Sequence, residues 1–294
     1  MSSSSTQVNL LAIIHDASLP SGVGAISVIN RYYARSVPIG GYTGEVGNPS
    51  SCAAAPAWVN HCNGWYTGDL TDHFPADEAA PHRTSLEVYR SVLAAAADGS
   101  VTIASVGFAT NLLALLSSPT DSVSGLTGAE LIKRKVRRMY MMGGRRSNDP
   151  RWPVEWNFGG CNEGDIEQTG KERCDGGYSG LGPKTKYVIN RWPATVPLVF
   201  VGFEDSEWIR TGDALLSGRA AHLARSPIRR SFHWYCAVMP NRCEGGGRSS
   251  WDPVTVLIAI RDAKYGDEHY HKESGIMSVT ASGGACFSYI ARGT

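Results

Sequence analysis

Long apolar runs are missing from this chain of 294 residues. Stretches such as Val8 to Ile14 and Val196 to Val201 fall far short of the roughly 20 residues that a bilayer-crossing helix needs, which excludes a transmembrane helix. An excess of one charge is missing too. Lysine plus arginine number 28 and aspartate plus glutamate 27, a net charge of +1, so no global field draws nucleic acid or an anionic membrane. The opening MSSSST has no basic region or small-residue cleavage site before VNLLAII, so the sequence carries no signal peptide as written. No repeat of fixed period and no C-x-x-C or H-E-x-x-H spacing occurs. What remains is 42% hydrophobic and 19% charged, the composition of a globular chain with one large domain.

Cysteine, by contrast, is not scarce. The seven cysteines include Cys52/Cys62, Cys161/Cys174 and Cys236/Cys243, spaced like closures of small loops in an oxidised protein. Cys161 with Cys174 is the first expected bridge and Cys236 with Cys243 the second. Localisation stays open: no leader is visible, while the cysteine pattern hints at an extracellular ancestor.

Short β-branched apolar blocks alternate with longer amphipathic segments, the pattern of an α/β fold with an open, mainly parallel, Rossmann-like sheet. Strands are expected at about 8–14, 101–106, 136–141 and 196–201. Helices are expected over Val23 to Arg35, Ser85 to Ala97, Asn111 to Leu116 and Pro253 to Asp262. The glycine-rich stretches Gly40 to Pro81 and Gly143 to Asn190 read as long loops at the carboxyl edge of the sheet, where sites of open sheets lie. Neither marks a linker, so residues 1–294 are read as a single domain.

Several segments carry chemistry. Gly107-Phe108-Ala109-Thr110-Asn111-Leu112 follows a strand and opens a helix, with Thr110 placed as its cap. Met141-Met142-Gly143-Gly144 lets backbone approach a ligand. In Glu155-Trp156-Asn157-Phe158, Glu155 and Asn157 alternate with aromatics and would point to one side of an extended segment, a pairing suited to sugar hydroxyls. Arg248-Ser249-Ser250-Trp251-Asp252-Pro253 precedes an apolar helix, so Asp252 is either an amino cap or a metal carboxylate. Two rivals are weaker. Ser21-Gly22-Val23-Gly24-Ala25-Ile26-Ser27 lacks the last glycine of the dinucleotide fingerprint, and Lys133 to Arg138, KRKVRR, reads as a solvated helix end rather than a nucleic-acid patch.

Taken together, GFATNL, MMGG, EWNFGG and RSSWDP resemble the inosine-uridine preferring nucleoside hydrolase family, in its fungal and bacterial branch, from about Val8 to about Ala263. The resemblance implies a nucleoside hydrolase-type sheet and a calcium-dependent ribonucleoside N-glycosidase that releases base and ribose. It implies that the Thr110 carbonyl and the Asp252 carboxylate ligate calcium, and that Met142, Glu155 and Asn157 contact ribose. Trp251 stands where the family often has a histidine for the leaving base. The implied partner is a small ribonucleoside, with no nucleic acid and no membrane, and homo-oligomerisation is left open.

The family's opening strand, with its D-x-D-x-x-x-D-D motif, is absent, and the chain starts at what reads as the second strand. That motif supplies the remaining calcium carboxylates and the general base, so the implied calcium site is incomplete. Asp16, at the end of the first strand here, is the positional substitute for the base. The alternative function is a non-catalytic or truncated relative that binds a sugar or nucleoside without hydrolysis.

Overall fold

The computed structural model describes residues 8–44, 65–76, 83–145, 155–159, 181–219, 221–238, 243, 246–265, 274–279 and 285–289. In chain order the first elements are β1 (Ile13–His15), α1 (Pro20–Tyr32), β2 (Ile39–Gly41), α2 (Trp65–His73), β3 (Arg83–Thr84) and α3 (Ser85–Ala95). Then come β4 (Val101–Ser105), α4 (Thr110–Leu116), α5 (Gly128–Lys135), β5 (Val136–Met142), a single 3-10 turn (Trp156–Phe158), α6 (Leu181–Arg191) and β6 (Leu198–Val201). The remainder is α7 (Phe203–Ser206), β7 (Arg210–Thr211), α8 (Asp213–Leu216), a second 3-10 turn (Ala221–Leu223), α9 (Pro227–Val238), β8 (Arg248–Ser249), α10 (Trp251–Tyr265), β9 (Gly275–Val279) and β10 (Ala285–Tyr289).

The architecture is the expected α/β one, and its main strands run parallel. They fall into two three-stranded sheets, β1-β2-β3 and β4-β5-β6, with β7-β8 and β9-β10 as antiparallel pairs. No ladder joins β1 to β4 among the described residues; side chains bridge them instead, as described below. Register aligns Ser105 with Met141 and Met142 with Val201, so β4, β5 and β6 finish at one level. Their core includes Leu112, Leu115, Leu131, Ile132, Met139, Met141 and Val188, all buried. The last helix, α10, packs against β4 and β5.

Local sequence accounts for most boundaries. Thr84 with Glu87 and Thr127 with Glu130 form capping boxes that start α3 and α5. The basic run ends α5 at Lys135 and Val136 opens β5, and Arg134 and Lys135 both reach Asp98, so this run is a helix end as expected. In α3, Leu86, Tyr89 and Leu93 pack on the core.

Three expectations need correction. Val8 and Leu10 are each 54% exposed and lie outside β1, so only the end of the first apolar block is a strand. The two long glycine-rich stretches are not wholly loop. They contain α2, which buries Leu70, and α6, which buries Leu181, Thr185 and Val188 at four- and three-residue steps. Thr110 is not a cap. Ala109 holds that position without a side-chain hydrogen bond, and Thr110 is the first helical residue.

Candidate functional site

The carboxyl ends of β1, β4, β5 and β6 deliver the residues of interest. Asp16 follows β1, and its Oδ2 accepts the Phe108 N–H at 2.7 Å, across to the turn after β4. One residue earlier the His15 carbonyl accepts from Asn111 Nδ2 at 3.0 Å. Gly107 has no side chain because the Asp16 carboxylate occupies the space a Cβ would take. Burial holds the Asp16 carboxyl above the usual carboxylate range, against the Phe108 N–H and His15, which both favour its ionised form.

Glu155 and Asn157 do not lie on an extended segment. Glu155 caps the 3-10 turn Trp156–Phe158 and accepts the Asn157 N–H through Oε1 at 3.3 Å, a local bond that competes with extension. Both residues are nevertheless buried together, while Trp156 between them is 39% exposed. Asn157 Nδ2 donates to the Met142 carbonyl at 3.2 Å and lies 3.1 Å from its sulfur, which ties the turn to the end of β5. Gly143 and Gly144, at φ of 149° and 88°, turn the chain there, and the Phe158 ring fills the space beside Gly143. Glu155 Oε2 is buried without a hydrogen-bond partner in the protein. Burial pushes this carboxyl up to about 7, Asp252 and Glu204 push the same way, and the Asn157 N–H and Arg145 oppose them.

Asp252 sits in the first turn of α10. Its carboxyl is pushed up to about 6, mainly by burial of its inner side, although the residue as a whole keeps solvent access. Arg248 opposes that shift, and Asp16 adds to it. Tyr66, from α2, lies in the field of Arg248, Asp252, Asp16 and Tyr235. Burial is the main cause that raises its hydroxyl. Trp251 donates its indole Nε1–H to the Phe203 carbonyl at 3.1 Å. Asp16, Asp252 and Glu155, from three distant segments, are thus linked electrostatically, with Tyr66, Arg145 and Arg248 around them.

A calcium ion takes six to eight oxygen ligands. Among the described residues, no three His, Cys, Asp or Glu side chains converge to hold a metal. Asp16 already commits one oxygen to Phe108, and the Thr110 hydroxyl is buried without a partner. These donors do not by themselves fit calcium, and no step below passes through it.

Of the residues singled out from sequence, Met142, Glu155 and Asn157 form one hydrogen-bonded unit, and Asp16 and Asp252 are electrostatic neighbours. Arg145, Phe203 and Arg248 were not foreseen. Phe203 had a signal in the sequence: Val106-Gly107-Phe108 after β4 recurs as Val201-Gly202-Phe203 after β6, and both place an aromatic at the same sheet edge. The glycines of the weak dinucleotide motif have another use, since Gly22 makes room for the His15 ring and Gly24 for Thr71. Of the residues near α2, Asp69 pairs with Arg230 and His73 Nδ1 bonds the Asp69 carbonyl.

Comparison with solved structures places this geometry. A purine-preferring ribonucleoside hydrolase from Gardnerella vaginalis superposes with a TM-score of 0.62 at 13% identity, over 95% of this chain and 80% of its own. The chain has the nucleoside hydrolase fold. Two effector proteins share it: XopQ, solved with adenosine diphosphate ribose, at a TM-score of 0.52 and 14% identity, and XOO4466, at 0.50 and 13%. Each covers 95% of this chain, which in turn covers 78% and 77% of theirs. No family model and no curated protein matches the sequence. The likeness shows the fold, and it does not single out the inosine-uridine branch.

Proposed function

We propose that this chain is a ribonucleoside N-glycosidase that hydrolyses a nucleoside to free base and ribose. The observation that carries the reading is the pairing of the buried, unpartnered Glu155 Oε2 with Asn157 and Met142 at the end of β5, with Asp252 in the field of both Glu155 and Asp16. Carboxylates in the field of one another, Glu155 buried among them, suit an oxocarbenium-like transition state, whose positive charge they offset. Glu155 Oε2, which lacks a protein partner, accepts a ribose hydroxyl, and Asn157 and Met142 complete that face. Asp16 takes a proton from water as the water oxygen bonds to the anomeric carbon. The carbon–nitrogen bond breaks with its electron pair on the base, which is then protonated by solvent. The Trp251 indole N–H is already committed to Phe203, so Trp251 packs beside the leaving base and does not protonate it.

Purified full-length protein with inosine or uridine should release base. In Asp16→Asn that rate should fall about 100-fold or more, the usual span of a lost general base. Wild-type protein that releases no base from any nucleoside would overturn the reading.

A second reading has its own observation, that no three His, Cys, Asp or Glu side chains converge among the described residues. On it the cleft binds a ribosyl group, in a nucleoside or a molecule such as adenosine diphosphate ribose, without cleavage. Calorimetric binding with no base released would select it. Calcium is part of the proposal only as the implied ion of the resemblance, and calorimetry with calcium alone should show weak binding. No described helix is long and apolar enough to cross a membrane, and the Cys236–Cys243 bridge suits an oxidising compartment.

A further inference from the structure

The Arg145 guanidinium carbon lies 4.0 Å from the centre of the Phe203 ring. Phe203 packs on Trp251 with ring centres 5.0 Å apart and planes 30° from parallel. Arg248 lies over Trp251 at 5.5 Å and over Tyr235 at 4.5 Å. The five groups come from four separate segments of the chain and form one continuous ladder, in the order Arg145, Phe203, Trp251, Arg248 and Tyr235, of two cations and three rings.

Phe203 is held at its backbone as well. Its N–H donates to the Gly144 carbonyl at 3.0 Å, which brings Arg145 alongside, and its carbonyl accepts the Trp251 indole. At the far end, β8 is fixed to β7 by the Arg210 bond to the Gly247 carbonyl at 2.8 Å and by Ser250 N–H to the Ile209 carbonyl at 2.8 Å. The Arg145 charge favours the ionised form of Glu155, and the Arg248 charge that of Asp252, the residue after Trp251.

We propose that Phe203 and Arg145 are positioning residues, and that the ladder through Trp251 to Arg248 is the spacer that sets the separation of the Glu155 and Asp252 carboxylates. The proposal rests on the reading of this edge as a ribosyl site. Neither residue needs to touch the reacting bond. Cation–ring contacts are directional and strengthen when desolvated, and Arg145 is only 7% exposed. Removing one rung should therefore move its neighbours, whatever the charge of the rung removed.

The test uses full-length protein labelled with 5-fluorotryptophan, with the Trp251 fluorine resonance assigned through Trp251→Phe. Phe203→Ala and Arg145→Met should each shift that resonance and weaken inosine binding about fivefold to tenfold by calorimetry, the scale of a desolvated cation–ring contact. Phe203→Tyr keeps the ring and should restore both, and Arg145→Lys keeps the cation and should restore part of each. Trp208→Phe, at a residue 80% exposed and outside the ladder, should change neither. The proposal is overturned if folded Arg145→Met leaves the Trp251 resonance in place, or if Phe203→Tyr does no better than Phe203→Ala. If wild-type protein binds no inosine or adenosine diphosphate ribose, the ribosyl reading falls, while the Trp251 resonance still decides whether the ladder is coupled.

Discussion

At the residue scale, Asp16 and Glu155 show how position turns an ordinary carboxylate into a specialised one. The Asp16 carboxylate occupies the space beside Gly107, so Gly107→Ala would push out the free end of a side chain rather than backbone. The cost in stability should be small, about 1 kcal/mol for the lost Phe108 bond. Base release or ribosyl binding should fall at least tenfold, and thermal melting paired with a binding assay separates the two effects. Glu155 couples its burial to stability through pH. Its folded carboxyl titrates at about 7 against an ordinary 4.5, so the native state holds more protons than the unfolded state between those values. Stability from this group is full below about pH 4.5 and is lost as pH rises through about 7. Denaturation midpoints across that window should decline with pH, and Glu155→Gln should flatten the decline. Asp16 and Glu155 were both legible as residues in sequence, because a strand end and an E-x-N spacing mark them. Their surroundings were not legible, since Phe108 beside Asp16 and Met142 beside Asn157 come from other segments.

At the element scale, α5 starts in close contact with the carboxyl end of α4. A Cβ on Gly128, the first residue of α5, would run into the Leu115 carbonyl of α4, and the Gly128 N–H donates to the Ser118 carbonyl at 2.9 Å. Backbone cannot yield as a side chain can, so Gly128→Ala should destabilise by about 1–3 kcal/mol, measured by urea unfolding. The strand–turn–helix units around β4 and β5 were readable because capping boxes and core periodicity are local signals. The helices α2 and α6 were not, because each lies inside a glycine-rich stretch and has only a few buried apolar positions.

At the scale of the whole molecule, the Cys236–Cys243 bridge, with a sequence separation of 7, ties the end of α9 to the segment that carries Arg248 and Asp252. The leading expectation, Cys161 with Cys174, and the Cys52/Cys62 spacing lie outside the described residues. Seven cysteines less the two bridged leave at most five thiols to titrate in denatured, unreduced protein. Reduction should lower stability by about 2 kcal/mol, the loop-closure entropy of so short a ring, seen as a lower melting temperature. Alternation of apolar blocks with amphipathic segments, together with the resemblance to a nucleoside hydrolase family, determined a mainly parallel α/β fold and set Thr110 and Met142 beside strand ends, because periodicity and turn chemistry act over a few residues. Only the tertiary structure decided that the strands divide into two sheets, that Asp16 crosses to Phe108 and meets the field of Asp252, and that Arg145, Phe203, Trp251 and Arg248 stack into one wall. Apart from Arg248 on Trp251, those contacts join segments separated by tens of residues or more, and the burial and fields they create depend on every element packed around them.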